Sequence, residues 1–541
     1  MVLRVLSIRI RSDKLERKLK SILLTYKHFE NILLILISQN YNLYKEGKDT
    51  NDFNLLTSPQ LMRNALYDYN SKHSAQVEYL KNKYKDNQLW LALKETAKKL
   101  KPHNLTYVIK RVKASFKTYF KSLELYKQNP NLFTGMPKPP KPKKLYKLTN
   151  YSIELDKYCS LSFVRLEKEN LVGVNMANGI VYVYVNKEQF KKLTDINKLY
   201  SARLVYDNGS LYLQINYLKE LKKVETEQLK YAGIDIGIGN LMAVFIDDEN
   251  APSLIVDGKP FKHYNAKFNR LIAKLNESRV KEVVEWAVSK TGTKYPVKYT
   301  KRGREIGKFI SFLYAKRNRF FYDQFHKMAK RIVEYLYLNG VSDVFVSKNL
   351  AELKNNGECV LNKVVKQSFV QIPFVKLLKY IEYKVQEYGI NVHHIDERYT
   401  SKASCISDDV KSIQVCSKHF LELSGASACL SASTSLPRTK RVDNALDSSD
   451  LTNAFKGKRV KRGLFLDVVI NKVFNADINA AVNHIKVGTG KCFAWLKDKL
   501  FKLCNPIKIK SDYEFCRLLK SLWDSGSLHP LSVQRRRNLT D

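Results

Sequence analysis

The stretch YAGIDIGIGNLMAVFID (231–247) carries the main fold signal in the second half of this sequence. Its two short apolar runs predict a buried strand, a turn and a second strand. Asp235 lies inside the first strand. A carboxylate in an apolar strand is costly unless it is paired or binds a metal ion, although an aspartate can also simply cap a turn. Asp235 is therefore the first candidate for a metal ligand.

Strands and helices alternate in the second half of the chain, and this pattern predicts an α/β sheet. The predicted strands are 341–350 and 390–396, and the predicted helices are 263–288, 305–338, 370–388 and 473–487. The last helix begins in NADINAAVN, with Asp477 near its N-terminus. Helix capping and the helix dipole favour an acid there even without a function. Asp235 and Asp477 are 242 positions apart, so only the fold could bring them together.

The first half of the chain has a different pattern. Residues 2–11 predict a strand, and short strands recur over 145–220. The NG pair at 208–209 is a hairpin signal between two of them. These strands predict a small antiparallel barrel or sandwich, which the first strand completes. Helices are predicted at 13–39, 58–83, 88–100 and 103–127, followed by the stiff connector PKPPKPKK (137–144).

The sequence is strongly basic: 94 lysines and arginines oppose 52 aspartates and glutamates, a formal net charge of +42. This charge opposes compaction unless a polyanion neutralises it, and nucleic acid is the usual polyanion. A basic ribosomal or membrane-surface protein is the alternative.

Fourteen basic residues and one acid lie between Lys98 and Lys147, interleaved with aromatic residues. A solvated helix face is the ordinary explanation of a charge run, but the single sign and the length of this run favour a phosphate-binding surface. The candidate phosphate contacts are Lys110, Arg111, Lys113, Lys117, Lys143 and Lys144.

No secretory or membrane segment is expected. The N-terminal residues alternate apolar and basic side chains, unlike a signal peptide, and the most apolar run, NILLILI (31–37), is too short to span a bilayer. The eight cysteines are scattered without a CxxC pair, which favours reduced thiols in a cytosolic protein. In a prokaryote we expect the protein in the cytoplasm, associated with the nucleoid.

Several motifs, in order, resemble those of TnpB, the OrfB-type protein of transposons, and of its relatives Fanzor and the type V CRISPR effectors. GIDIGIGNL (233–241) resembles the first RuvC motif, and HIDERYTSKASC (394–405) resembles the strand that ends in YTSK. KRGLF (461–465), followed by NADINAAVN (475–483), is similar to the third RuvC motif. The resemblance extends over residues 100–490 and includes NPNLFTGMPKPPK (129–141), KRNRFFYDQFHKMAKRIV (316–333) and QSFVQIPFVKLLKYIEYKVQEYGINV (367–392).

The resemblance implies a multidomain α/β plus β-barrel plus helical protein. It would combine an RNase H-like RuvC nuclease domain, a small antiparallel wedge barrel and a helical recognition lobe. The expected limits are 1–15 and 145–222 for the wedge barrel, 16–144 for the helical recognition domain, 223–402 and 455–490 for the RuvC domain, 403–454 for a target-strand loop or degenerate zinc ribbon, and 491–541 for a basic C-terminal tail.

In such a nuclease domain three carboxylates hold two magnesium ions. Magnesium prefers hard oxygen ligands, and two ions about 4 Å apart can activate water and stabilise the leaving oxygen of a phosphodiester. Asp235 and Asp477 occupy the first and third acidic positions of the family. At the second position this sequence has Lys348 instead of the usual glutamate. An ammonium about 4 Å from even one positive charge is repelled by about 4 kcal/mol at an effective dielectric of 20, so Lys348 is not a ligand.

Glu397 is our candidate for the third carboxylate. It ends the strand INVHHIDE, which is expected beside the 341–347 strand, and some TnpB-like and Fanzor-like proteins resemble this one in carrying an acid just before the YTSK segment. Asp396 and Glu352 are the alternatives, and alternation along the strand would point only one of Asp396 and Glu397 inward. In an inactive site, Glu397 would instead pair with Lys348 or Arg398.

The interval between YTSK and the third RuvC motif usually carries a four-cysteine zinc ribbon in the family. Here the possible zinc ligands are Cys405, Cys416, His419 and Cys429, and they lack the close paired spacing of structural zinc sites. Lys402 and Arg462 are further candidate contacts to nucleic acid.

The leading functional hypothesis is a magnesium-dependent, RNA-guided DNA endonuclease of a transposon, which cuts double-stranded DNA with a single RuvC site. A guide RNA resembling the ωRNA of the family would bind the basic surfaces, and base pairing would select the target. Two alternatives remain: a nuclease-inactive, RNA-guided repressor or transposition regulator, motivated by Lys348, and a guide-independent nuclease or transposition accessory. The oligomeric state stays open between monomer and dimer.

Overall fold

The protein divides into two compact units, Met1–Lys219 and Glu220–Asp541, in a computed structural model. Helices and sheets occur in both units, which confirms the expected multidomain combination of helices and sheets. The residues that the structure describes are 2–45, 52–69, 74–146, 148, 151–156, 158–176, 179–186, 189, 193, 198–207, 209–221, 229–237, 239–289, 292–347, 371–396, 400–407, 409, 455–461 and 463–524.

Helix α1 (Asp13–Lys45) runs through the core of the first unit, where Leu19, Leu23, Phe29 and Leu33 are fully buried. Over Asp13–Tyr41 this helix is long and apolar enough to cross a membrane, and 61% of the window tested is buried inside the protein. Packing in the protein core accounts for these apolar residues. The other helices described in this unit are α2 (Asp52–Leu56), α3 (Pro59–Tyr67), α4 (Ser74–Lys83), α5 (Gln88–Lys98), α6 (Pro102–Gln128), the 3₁₀ turn Pro130–Leu132 and α7 (Leu166–Glu169).

The single helix predicted over 58–83 is wrong. Asp68, at the C-terminal cap of α3, adopts a left-handed conformation with φ of 56°, and its N–H donates to the carbonyl of Asn64. A left-handed cap ends a helix because the next residues can no longer continue its hydrogen-bond ladder.

The strands of the first unit form two antiparallel sheets in the described residues. Strand β1 (Val2–Arg9) pairs along its whole length with β7 (Ser210–Lys219), as predicted for the first strand. The NG hairpin is also confirmed, because Asp207 pairs with Ser210 across it and Gly209 has φ of 75°. The sheet orders are β1-β7-β6-β2, with β6 at Leu199–Asp207 and β2 at Tyr151–Leu155, and β3-β4-β5, at Leu161–Ser162, Leu171–Met176 and Gly179–Tyr184. Closure into a barrel stays a prediction.

A six-stranded sheet organises the second unit in its described part. Its order is β14-β13-β8-β9-β10-β18, at Asn391–Ile395, Val341–Ser347, Lys230–Asp235, Asn240–Ile246, Leu254–Asp257 and Ile507–Ile509. The strands β8, β13 and β14 run parallel, and β9 is antiparallel to β8. The predicted α/β sheet and its strand–turn–strand start at 231–247 are confirmed.

Helices cover both faces of this sheet. Val244 and Ile246 of β9 pack in a core with α9 (Lys301–Leu338) and α10 (Phe374–Val385), whereas Ala243 and Phe245 pack in a second core with α11 (Ala476–Thr489). The remaining elements described in this unit are α8 (Lys259–Val280), β11 (Val283–Val288), β12 (Lys294–Tyr299), the 3₁₀ turns Gln386–Tyr388 and Ala494–Lys497, the sheet β15-β16-β17 (Gly457–Lys461, Leu464–Asp467 and Lys472–Asn475), α12 (Phe501–Cys504) and α13 (Asp512–Asp524).

Two expectations about the second unit are wrong. The helix predicted over 263–288 ends at Val280, and Val283–Val288 is strand β11, whose valines and tryptophan favour extended backbone. The region 491–541 is not simply a basic tail, because Ile507–Ile509 adds a parallel edge strand to the central sheet beside β10. Phe515 of α13 is fully buried in the core of this unit.

Gly233 lets helix α11 lie directly on strand β8. A Cβ atom at this position would come within 1.8 Å of the carbonyl oxygen of Ala481 and within 3.1 Å of the Ile485 side chain. Backbone cannot move aside as a flexible side chain can, so only glycine permits this approach. The helix that carries Asp477 is thereby brought close to the strand that carries Asp235.

We predict that Gly233→Ala destabilises the second unit by about 3 kcal/mol, at the upper end of the usual cost of overpacking. Thermal unfolding of the purified protein measures this effect. Gly135→Ala is the matched control, since a Cβ atom there meets nothing within 4 Å. Equal melting temperatures for the two variants would show that the close contact between helix and strand is absent.

Candidate functional site

Asp235 is the last residue of β8, in the middle of the central sheet. It pairs with Ala243 of β9, and the preceding residue, Ile234, pairs with Val346 of β13. Alternate residues of a strand face the same side, so Asp235 lies on the side of Gly233, towards α11. The apolar strand predicted around this acid is confirmed, and its carboxylate is half-buried at the end of the strand.

Asp477 lies in the first turn of α11. The side chain of Asn475 caps this helix, with its Oδ1 accepting from the N–H groups of Asp477 (3.0 Å) and Ile478 (3.1 Å). The Asp477 carboxylate accepts from Asn240 Nδ2 at 2.7 Å through Oδ2, and Arg459 lies 3.4 Å from Oδ1. Both carboxylate oxygens therefore point at polar groups, and 21% of the side chain is exposed.

Asp235 and Asp477 lie at the same end of the sheet. Asn240 is the first residue of β9, the strand that follows Asp235 in the chain, and it donates to the Asp477 carboxylate. Further along α11, Nδ1–H of His484 donates to the carbonyl of Ile234 at 3.1 Å. The helix therefore runs antiparallel to β8, and its N-terminus is at the edge where β8 ends.

Three parallel strands end at this edge. Ile234 of β8 pairs with Val346 of β13, and Ser347 of β13 pairs with Ile395 of β14. The expectation that the 391–395 strand lies beside the 341–347 strand is confirmed. Lys348 follows β13 in the chain, and Glu397 lies two residues after the end of β14.

The third metal-binding carboxylate stays a prediction. Glu397, Lys348 and Glu352 lie outside the described residues, whereas Asp396 is described and half-buried. Among the described residues no group of three or more His, Cys, Asp or Glu side chains could hold a metal ion. Asp235 and Asp477 supply the hard oxygen donors that magnesium prefers, so the described part fits such an ion but needs a further ligand.

The segment that follows YTSK is bound to α11 by two asparagines that the sequence analysis did not single out. Asn479 accepts from the N–H of Cys405 and donates to the carbonyl of Ala403, both at 2.8 Å. Asn483 donates to the carbonyls of Thr400 and Ala403, also at 2.8 Å. Both asparagines are fully buried. Their position one turn apart in NADINAAVN was a usable sequence signal, since such residues share a helix face.

Asp467 of β16 binds the same segment. Its Oδ2 accepts from the hydroxyls of Ser404 and, at 2.7 Å, Ser407. Its Oδ1 accepts from the N–H groups of Val469 (2.8 Å) and Ile470 (3.1 Å). Burial alone would raise the pKa of Asp467, but these hydrogen bonds, led by that of Ser404, hold it below its ordinary value. The carboxylate therefore stays ionised in the interior.

Zinc binding stays a prediction, and Cys405 is the one expected ligand among the described residues. Cys405 lies in the apolar core with Phe465 and Phe474, and burial raises the pKa of its thiol to about 12. Cys416, His419 and Cys429 lie outside the described residues.

The residues of the predicted phosphate-binding surface are of two kinds: some are exposed, and others bind groups within the protein. Lys110, Lys113 and Lys117 are exposed on one side of α6, at helical spacing, whereas Val112 and Phe116 on the other side are buried. Lys144 and Lys402 are also exposed, and Arg462 lies outside the described residues. We call Lys110, Lys113 and Lys117 the lysine row of α6.

Arg111 does not fit the expectation of a free phosphate contact. Its guanidinium binds Glu30 at 2.5 Å and the carbonyl of Ser152 at 2.6 Å, and Lys143 binds the other oxygen of Glu30 at 2.5 Å. Burial would raise the pKa of Glu30, but the charges of Arg111 and Lys143 lower it. Arg111 thus holds a buried carboxylate inside the first unit, a role that its place in a basic run could not reveal.

Two family models match parts of this chain. Residues 214–352 match the family OrfB_IS605, described as probable transposase, and residues 374–423 match the Cas12f1-like TNB domain. The TnpB-like protein ORF457 of Acidianus two-tailed virus is 25% identical over 195 residues, which are 36% of this chain and 37% of the viral protein. The resemblance to TnpB-like proteins and type V effectors is therefore confirmed.

Solved structures give only a distant likeness. One is the cryo-EM structure of the Cas12f1-sgRNA-target DNA complex, with 16% identity and a TM-score of 0.27 over 89% of this chain and 98% of that chain. Another is the mini-RNA-guided endonuclease CRISPR-Cas_phi3, with 11% identity and a TM-score of 0.33 over 68% of this chain and 65% of that chain.

We predict that acid destabilises the contact between α11 and β8. Burial lowers the pKa of His484 from 6.5 to about 4, so between these values the unfolded chain binds more protons than the folded chain. The contribution of His484 to the free energy of unfolding is therefore complete above pH 6.5. It decreases as the pH drops towards 4, by up to about 1.4 kcal/mol per pH unit.

Urea unfolding between pH 7 and pH 4.5 measures this loss. The variant His484→Asn keeps a donor for the Ile234 carbonyl but cannot titrate, so its pH dependence should be shallower. An unchanged pH dependence would contradict the assignment of this loss to His484.

Proposed function

We propose that this chain is an RNA-guided, magnesium-dependent DNA endonuclease of the TnpB kind, with one RuvC-type site. The observation that carries the proposal is the placement of Asp235 and Asp477 at one edge of the central sheet, where β8, β13 and β14 end. The match to OrfB_IS605 over residues 214–352 supports a nuclease of the TnpB kind. An RNase H-like fold accommodates the described sheet and α11.

The site residues have distinct roles in this proposal. Asp235, Asp477 and Glu397 would hold two magnesium ions, which when bound supply an activated water and stabilise the leaving oxygen. Asn240 orients the Asp477 carboxylate through its hydrogen bond of 2.7 Å. Arg459 balances the charge of that carboxylate and is exposed enough to meet a phosphate of the target strand. Lys348 is not a ligand.

The proposed partners are a guide RNA and double-stranded target DNA. The net charge of +42 and the lysine row of α6 support binding of a polyanion. Base pairing with the guide would read the target, while the protein would read a short neighbouring motif through the wedge strands and the helical region. Such partners imply a location at the nucleoid of a prokaryotic host. A zinc ion in the 403–454 region stays a prediction.

Cleavage of labelled target duplex by the purified ribonucleoprotein tests the proposal. Asp235→Asn, Asp477→Asn and Glu397→Ala should each reduce the magnesium-dependent rate by more than about 100-fold, the upper cost of losing an outer partner of a metal ligand. Target binding should remain, because these residues do not hold the guide. Lys348→Ala should still cleave. Asp323→Asn is the control, an exposed acid of α9 paired with Lys327.

Each contrary result has a defined meaning. Full cleavage by Glu397→Ala would remove that residue as a ligand and pass its role to Asp396 or Glu352. Target binding by the wild-type complex without any product would contradict the endonuclease and favour a repressor. Absence of a discrete copurifying RNA would favour a guide-independent protein.

The lysine row of α6 gives a second prediction. In the double variant Lys113→Ala with Lys117→Ala, the negative slope of the log binding constant against log salt concentration should become shallower by about 1.5, because two phosphate contacts are lost. This slope is obtained by measuring guide RNA binding between about 50 and 300 mM salt, where counterion release dominates. The control is Lys14→Ala with Lys18→Ala, an exposed pair of α1 with the same spacing. Equal slopes for the two variants would exclude the row from the RNA-binding surface.

A further inference from the structure

Helices α8 and α9 form an arm that leaves the central sheet at the edge of the two candidate ligands. Asp257, the last residue of β10, pairs with Asn240, whose side chain donates to the Asp477 carboxylate. Helix α8 begins two residues after Asp257, and its first turn packs in the core on the sheet through Phe261. The arm therefore starts beside Asp477.

Beyond this first turn the arm has a small core of its own. Phe268 and Ile272 of α8 pack with Ile310 of α9, in a cluster separate from the core on the sheet. Helix α9 joins the core on the sheet only from Phe321 onwards. The 22 residues of α8 span about 33 Å at about 1.5 Å per residue. The far end of the arm is therefore about 30 Å from the edge where the arm starts.

A two-stranded ribbon, β11 paired with β12, connects the two helices at this far end. Its base is fixed to them: the N–H of Thr300 donates to the carbonyl of Glu282 at 3.0 Å, and the Thr300 hydroxyl donates to the Glu282 carboxylate. The guanidinium of Arg279 lies 4.3 Å from the centre of the Tyr299 ring. A two-stranded ribbon alone is marginally stable, so these contacts hold it in place.

One face of this ribbon is apolar and exposed. Trp286 and Val288 are two positions apart on β11, so they share a face, and 48% and 60% of their surfaces are exposed. Lys294 pairs with Val288 across the ribbon, lies on the same face and is exposed. An exposed tryptophan beside other apolar residues is typical of a surface that binds a partner.

Charge and shape identify the partner of this face. Residues 259–320 contain 17 lysines and arginines against four glutamates and no aspartate. Such an arm repels a second copy of itself and attracts a polyanion. The major groove of B-form DNA admits a two-stranded ribbon, whereas that of an A-form RNA helix is too narrow. Duplex DNA therefore fits this face best.

We propose that the ribbon binds the target DNA duplex about nine base pairs from the cut, since about 30 Å corresponds to nine pairs at 3.4 Å each. Trp286 and Val288 contact the groove, and Lys294 contacts a phosphate. This inference rests on the proposed function, which puts the cut at the edge of Asp235 and Asp477. The arm sets the direction in which the duplex leaves that edge.

Hydroxyl-radical footprinting of the purified ribonucleoprotein on target duplex tests the inference. The cut is first mapped with magnesium, and the footprint is then recorded with calcium in its place. The wild-type complex should protect the DNA backbone about nine base pairs from the cut. Trp286→Ala should lose this protection and bind the target about 10-fold more weakly, the lower range for loss of an aromatic contact to nucleic acid. Its affinity for guide RNA should not change.

Tyr295→Ala is the matched control. Tyr295 pairs with Ala287, so it lies on the opposite face of the same ribbon, and 49% of it is exposed. This variant should keep the wild-type footprint and target affinity. Lys294→Ala tests the phosphate contact separately and replaces Trp286→Ala if that variant does not fold. It should make the negative salt dependence of target binding shallower by about 0.9 on a log–log plot.

The outcomes separate the two proposals. A wild-type complex without magnesium-dependent product overturns the proposed function, and the ribbon contact falls with it. A wild-type complex that cleaves, with unchanged footprints and target affinities in Trp286→Ala and Lys294→Ala, overturns the ribbon contact alone. Weaker guide RNA binding by Trp286→Ala would assign the ribbon to RNA and also overturn it. Loss of the distant protection in Trp286→Ala but not in Tyr295→Ala supports the inference.

Discussion

The close approach of helix α11 to strand β8 is the constraint on which the second unit depends. Gly233 allows the carbonyl oxygen of Ala481 to lie where any side chain would stand. His484 adds a hydrogen bond to the backbone of Ile234, and Asn240 joins the start of β9 to Asp477. These contacts bring together two acids that are 242 residues apart in the sequence, at the edge where three parallel strands end. The approach of the two acids therefore follows from packing and not from their spacing in the sequence.

The sequence predicted the parts of the fold that have strong local signals. The apolar strand around Asp235, the NG hairpin and the helix after Asn475 all carry such signals and are confirmed. Strand β18 was missed because three residues, Ile507–Ile509, show almost no periodicity and gain their structure from pairing with β10. The 283–288 strand was assigned to the preceding helix although its β-branched residues indicated otherwise.

The candidate site was only partly predictable. Asp235 and Asp477 came from strand context and family resemblance, and the structure places them at one edge. The roles of Asn479, Asn483 and Asp467 depend on a loop contacted across the fold, which no local spacing encodes. At Arg111 the sequence prediction differs from the structure. The position of Arg111 in a basic run predicts a phosphate contact, but its guanidinium forms an ion pair with a buried glutamate. Charge patterns give the sign of a surface but not the partner of each residue.

In the proposed site, Asp235 and Asp477 hold two metal ions together with a third acid. Manganese can replace magnesium and gives an electron paramagnetic resonance spectrum in which two ions about 4 Å apart are magnetically coupled. Titration of the purified protein with Mn²⁺ should yield two coupled ions per chain, and Asp477→Asn should abolish the coupled signal. Manganese that binds only as isolated ions, or a coupled signal unaffected by Asp477→Asn, would contradict the account.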